Sequence, residues 1–95
     1  MGQFQNKVVW ITGASSGIGE ALAKAFDAEG AVVVISSRRR EELERVKGLC
    51  MNPEKIHIFP LDLTKAESIR EVSKEVLAKF NIDVLFNNGG ISQRS

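Results

Sequence analysis

The sequence predicts an α/β fold: half of a doubly wound sheet, with parallel strands in the order 3-2-1-4 and three crossover helices. Three observations predict it. Four apolar runs rich in β-branched residues, at 8–11, 31–35, 56–61 and 84–86, read as continuous rather than alternating, as strands covered on both faces do. Helical periodicity fills each interval between them, and alternating strands and helices imply parallel strands joined by right-handed crossovers. A glycine-rich turn, Thr12-Gly13-Ala14-Ser15-Ser16-Gly17-Ile18-Gly19, closes the first strand and opens the first helix. In a doubly wound sheet such a turn belongs at the switch point, here between strands one and four.

Each helix has its own signature. In the first, Ile18, Leu22 and Phe26 recur every four residues beside Ala21 and Ala25, and Gly30 supplies a C-terminal stop. In the second, Leu43, Val46 and Leu49 or Cys50 mark the apolar stripe, which Asn52-Pro53 ends. In the third, Ile69, Val72, Val76 and Phe80 form the stripe. Thr64-Lys65-Ala66-Glu67 before it reads as a capping box. The first two helices are expected on one face of the sheet and the third on the other. The face carrying only the third helix is then under-covered and strand four is an open edge, so self-association is expected.

The chain of 95 residues is expected to be one domain, 1–95, a partial dinucleotide-binding unit. Its 13 basic and 12 acidic residues give a net charge of +1, which offers no pull toward nucleic acid. No apolar run reaches the length of a membrane span and residues 1–6 are polar, so a cytoplasmic location is the expectation. Cys50 is the one cysteine, which excludes an intrachain disulfide and reads as a small buried hydrophobe. The one histidine, His57, lies inside an apolar run and reads as a strand residue rather than a catalytic base. There is no tyrosine.

The site follows from the topology. A ligand belongs beyond the carboxyl ends of strands one and four, where residues 12–19 and 87–90 meet. Gly13 permits a tight turn with positive φ. Gly17 and Gly19 let a pyrophosphate and the adjoining strand approach the backbone, while free N–H groups and the helix dipole face the anion. A phosphate loop of the NTPase kind needs a lysine after the glycines, and Glu20 stands there instead. NAD binders place an acid at the end of strand two, whereas this chain has Ser36-Ser37-Arg38-Arg39-Arg40. Arginine binds a 2′-phosphate by charge-assisted hydrogen bonds that an acid would oppose, which points to NADP(H). The alternative is a solvated cluster paired with Glu41, Glu42 and Glu44, the better reading for Arg40. Asp62-Leu63 ends strand three on the same edge. Its carboxylate either accepts from an adenine amino group or helps begin the next helix.

Thr12-Gly-x-x-x-Gly-x-Gly19, the basic pair Arg38-Arg39, Asp62-Leu63 and Asn87-Asn88-Gly89-Gly90 together resemble the short-chain dehydrogenase/reductase family, and the resemblance spans essentially the whole chain. It implies a Rossmann sheet and a nicotinamide cofactor. The cofactor-binding set it implies is Gly13, Ser15, Ser16, Gly17, Ile18 and Gly19 at the pyrophosphate, then Ser37, Arg38 and Arg39, then Asp62 and Leu63. Asn88, Gly89 and Gly90 match the family's Asn-Asn-Ala-Gly segment near the ribose, with glycine where alanine is usual. Residues 41–47 and 87–95 resemble one animal branch of the family. The family's chemistry uses a serine, a Tyr-x-x-x-Lys pair and a further asparagine beyond that segment, and none of the 95 residues is assigned catalysis. The resemblance therefore implies the NADP(H)-binding N-terminal portion of an oxidoreductase that interconverts a carbonyl and an alcohol, inactive by itself. A non-enzymatic NADP(H)-binding or regulatory module, and a folded piece without cofactor affinity, stay open beside it.

Overall fold

Four strands, β1 (Val8–Thr12), β2 (Val32–Ser36), β3 (Ile56–Ile58) and β4 (Val84–Asn87), pair in parallel in the order β3-β2-β1-β4. The structure, a computed structural model, describes residues 4–15 and 17–87. β1 is the hub: Val9 pairs with Val33 on one side and Val84 on the other. β2 carries the register outward, with Val33 opposite Ile56. The crossovers are α1 (Gly17–Ala28), α2 (Arg40–Leu49) and α3 (Ala66–Lys79), with a short 3-10 turn at Pro53–Lys55.

The pleat sends alternate side chains to opposite faces. Val9, Ile11, Val33, Ile35 and Ile56 meet Ala23 of α1 and Leu43 and Val46 of α2 in one buried cluster. Trp10 and Val34 point the other way and pack with Leu61 and with Val76 of α3, bordered by Val72 of that helix and by Phe80 just beyond it. The two-plus-one distribution of helices is thus as expected. β1 and β2 are buried on both faces, which is why they read as unbroken apolar runs.

β4 departs from that reading. Its burial alternates, and Leu85 is 56% exposed. That side chain forfeits most of the roughly 1.5–3 kcal/mol that full burial of a leucine contributes. β3 is shorter than the apolar run 56–61 because Pro60 has no N–H for the ladder. The chain still follows β2 beyond it, as Phe59 N–H donates to the Ile35 carbonyl and Leu61 N–H to that of Ser37.

The helices differ from expectation at their ends. Ile18 is 69% exposed, and the buried stripe of α1 is Gly19, Ala23 and Asp27, small residues that let the helix lie close to the sheet. Gly30, with φ +86°, ends α1 as proposed. Its N–H donates to Asp27 and that of Ala31 to Phe26, the two bonds of a Schellman motif. The Thr64–Glu67 capping box does not form. Asp62 Oδ1, an ionised acceptor two residues upstream, takes both the Thr64 hydroxyl (2.6 Å) and its N–H (2.9 Å) in an Asx-type turn.

One polar group lies within the first cluster's face. Asp27, 1% exposed, accepts from the backbone N–H of Met51 (2.5 Å) and Asn52 (3.0 Å) and from Asn52 Nδ2 (3.2 Å). The link between α2 and β3 is pinned to α1 by that carboxylate.

Candidate cofactor-binding site

The carboxyl edge of the sheet is stitched by bonds between residues far apart in the chain. Ala14 N–H donates to the Ser36 carbonyl (3.1 Å), so the glycine-rich turn is moored to the end of β2. Leu61 N–H donates to the Ser37 carbonyl (2.8 Å), which brings the Asp62-Leu63 segment alongside. Trp10 Nε1 donates to Ser36 Oγ (2.9 Å), a buried bond beneath that junction. Thr12 Oγ1 donates to Asn87 Oδ1 (2.8 Å) and ties the end of β1 to the end of β4. The rim of the switch point is therefore one connected frame.

Within it the glycines have distinct work. Gly13 turns with φ +67° directly after β1, as the sequence predicts. Gly17 opens α1 with φ +57°, a left-handed conformation costly to any residue with a Cβ. A Cβ added there meets no atom within 4 Å, so the space over the helix start is open. Gly19 is buried in the first turn. Ser15 is half-buried, and its carbonyl accepts from Arg45 Nη2 (2.8 Å). Ser16, Asn88, Gly89 and Gly90 lie outside the described residues.

At the end of β2, Ser37 Oγ is buried and has no hydrogen-bond partner among the described residues. Arg38 and Arg39 beyond it are exposed and form no ion pair among the described residues, whereas Arg40 pairs with Glu44 at 3.4 Å. Thus the solvated-pair reading holds for Arg40. Thr64's hydroxyl and N–H, aided by the charges of Lys65 and Arg38, hold the Asp62 carboxyl below the usual carboxylate range. The helix-initiating role of Asp62 is thus present in the structure, through Oδ1, and its carboxylate lies within the field of Arg38. Leu63 is half-buried beside it.

Two other titratable groups lie apart from this edge. The His57 ring, 5.0 Å from that of Phe80, is held below the ordinary imidazole value by burial and by Lys47 and Lys79. Burial, with help from the Asp27 charge, pushes the Cys50 thiol up to about 11, far from nucleophilic. An open groove of about 130 Å³ on the α3 face reaches this edge, lined by Trp10, Thr12, Leu61, Leu63, Leu85 and Asn87. It is too small for a dinucleotide, since small-molecule pockets span roughly 300–1,000 Å³. No helix among the described residues is long and apolar enough to cross a membrane.

Sequence reasoning brought the glycine turn, the Ser37–Arg39 segment and Asp62-Leu63 to one edge, and the structure places them there. It missed Trp10, Thr12 and Arg45 as the residues that frame and hold the turn. Their partners lie 26, 75 and 30 residues away, beyond any local signal.

A parallel sheet in the order β3-β2-β1-β4, with a glycine-rich turn at its switch point and an open space over the helix start, defines a dinucleotide-binding fold. The short chain dehydrogenase family model matches residues 7–95, and the chain belongs to that family. It is 48% identical over 99 residues to Dehydrogenase/reductase SDR family member 7 of Homo sapiens, covering 98% of this chain and 29% of that relative. Two solved structures superpose well. One is a 3-ketoacyl-(acyl-carrier-protein) reductase from Brucella melitensis complexed with NADH (35% identity, TM-score 0.76, 87% of this chain and 34% of that one). The other is an alcohol dehydrogenase from Thermococcus sibiricus complexed with 5-hydroxy-NADP (39%, 0.76, 85% and 36%). The chain spans under a third of the length of the curated relatives that it matches at 42–48% identity.

Proposed function

We propose that residues 1–95 form the NADP(H)-binding portion of an oxidoreductase that interconverts a carbonyl and an alcohol. The observation that carries this reading is at the end of β2. Two guanidinium groups without ion-pair partners among the described residues stand there beside a buried, partnerless hydroxyl, where an NAD binder has an acid. A 2′-phosphate supplies what each of these lacks: anionic acceptors for Arg38 and Arg39, and an acceptor for Ser37 Oγ. The backbone of residues 13–19 would hold the pyrophosphate over Gly17. Oδ2 of Asp62 and the backbone of Leu63 would face the adenine, and residues 88–90 the ribose. The chemistry the cofactor supplies is hydride transfer at its nicotinamide ring.

What these residues contribute is binding and orientation. Reduction of a carbonyl also needs a proton donor at the carbonyl oxygen, and the sequence holds no tyrosine for it. We therefore expect residues 1–95 alone to bind NADPH without oxidising it in the presence of ketones. The same lack of tyrosine favours a second reading, a non-catalytic NADP(H)-binding module. Partner binding or dimerisation that depends on NADPH would favour the module. Alone, these residues would also pair through β4, the open edge on which Leu85 is exposed, and a monomeric sedimentation profile at high concentration would count against that.

Titration calorimetry of Arg38→Ala with NADP+ and NAD+ tests the cofactor assignment. Loss of a charge-assisted hydrogen bond predicts about 10–100-fold weaker NADP+ binding and little change for NAD+. Equal losses for both would refute it.

A further inference from the structure

We propose that Arg45 is a positioning residue for the anion-binding turn, holding the Ser15 carbonyl toward α2 and neutralising Glu20 beside the start of α1. The inference rests on the cofactor reading above and concerns the part of the cofactor that NAD and NADP share.

Arg45 projects from α2 toward α1. Its Nη2 donates to the Ser15 carbonyl (2.8 Å) and to Glu20 Oε1 (3.1 Å), while Nε donates to Glu42 Oε1 (3.0 Å). The planar fork allows one side chain to meet all three acceptors, and an ammonium would not. A turn carbonyl bound by Arg45 is occupied by a donor and is not free to turn toward an incoming anion. An untethered carbonyl free to rotate into that space would repel an anion.

Glu20 carries the charge that Arg45 offsets. An acid in the first turn complements the helix dipole, which favours folding of α1. The same charge lies one residue from Gly19 and opposes a pyrophosphate. Arg45 and Lys24, the latter at 3.6 Å, surround the carboxylate, so α1 keeps its acid while the anion site loses the opposing charge. The Arg45 hydrogen bond is also the chief cause that holds the Glu20 carboxyl below its ordinary value, which keeps it ionised and available as the anchor.

The test uses the intact chain, with NADP+ and NAD+ titrated separately into Arg45→Ala, Arg45→Lys, Glu20→Gln and Arg45→Ala/Glu20→Gln. Arg45→Ala is expected to weaken both cofactors by the same factor, about two- to fivefold. Arg45→Lys should recover only part of that, and Glu20→Gln in the Arg45→Ala background should recover the charge component. Arg38→Ala, by contrast, discriminates between the two cofactors. Hydrogen exchange supplies a readout free of cofactor. Backbone amides within 13–19 should exchange about two- to tenfold faster in Arg45→Ala, with α3 and β3 unchanged. Unaltered affinity for both cofactors, loss confined to NADP+, or unaltered exchange in the turn would each overturn the inference. If the wild type bound neither dinucleotide, the cofactor reading would fall, and the exchange experiment would still decide whether Arg45 holds the turn.

Discussion

Replacing Gly17 by alanine separates backbone strain from exclusion of a ligand, and Gly30→Ala is its matched control. Both glycines occupy the left-handed region, at φ +57° and +86°. Placing an L-residue there costs about 1–2 kcal/mol. The narrower unfolded ensemble of alanine offsets about 0.4–1 kcal/mol of it. Each substitution should thus lower stability by a net amount of up to about 1.5 kcal/mol. The surroundings add little at either site. The new methyl at position 17 meets no protein atom within 4 Å. At position 30 it collides with Gln5 Oε1, the far end of an exposed side chain that can swing aside.

The two variants diverge at the ligand. The open space over Gly17 is where a pyrophosphate would approach the backbone, so a methyl there displaces it. Losing hydrogen bonds of the charge-assisted kind corresponds to about 10–100-fold in affinity. Gly30 lies at the opposite end of α1, and Gly30→Ala should bind as the wild type does. Urea denaturation of both variants, with calorimetric titration of NADP+ corrected for the folded fraction, provides both quantities. Wild-type affinity in Gly17→Ala, or an equal loss in Gly30→Ala, would refute the assignment of that space to the cofactor.

Asp27→Ala should cost about 2–5 kcal/mol in denaturant unfolding, because it strips the acceptor from the N–H groups of Met51 and Asn52. Its cofactor affinity per folded molecule should be unchanged. Thr12→Val removes the hydroxyl that joins β1 to Asn87 and should cost about 0.5–1.5 kcal/mol, whereas Thr12→Ser should retain most of it. The Cys50 thiol is raised in the folded state from 9.0 to about 11, so its protonated form favours folding. That contribution is whole below pH 9.0 and is lost as pH rises toward about 11, and Cys50→Ala should abolish this limb of the stability profile in alkaline denaturation.

The order of elements was legible because β1 and β2 are covered on both faces and leave unbroken apolar runs. The same rule misled at β4, where a run of three apolar residues, Val84, Leu85 and Phe86, has only one face buried. Periodicity placed Ile18 in the core stripe of α1. It is exposed because the face that α1 buries is that of Gly19, Ala23 and Asp27. The capping box failed by one position: Lys65 rather than Thr64 is the N-cap residue of α3, and the Thr64 hydroxyl donates to Asp62 instead. Glycine spacing and the basic segment marked the site because a tight turn and a charge sign are local properties. The Arg45 and Asp27 contacts were not legible, since each joins segments that only the folded sheet brings together.

The arginines at 38, 39, 40 and 45 divide by what faces them, and that division predicts a salt dependence. Arg40 and Arg45 have carboxylate partners within the fold. α2 already carries Glu41 and Glu42 in its first turn, which complement its dipole, so Arg38 and Arg39 oppose the helix rather than serve it. An anion bound at the end of β2 relieves that opposition. The proposed preference for NADP+ over NAD+ should then be an exposed charge effect, since both arginines are exposed. Raising ionic strength from about 0.01 to 1 M shortens the screening length from about 30 to about 3 Å. The ratio of the two dissociation constants should contract over that range. Arg45→Ala should leave the contraction intact, because Arg45 acts on the pyrophosphate that both cofactors carry. A ratio that stays flat across the series would assign the discrimination to Ser37 and uncharged contacts instead of to Arg38 and Arg39.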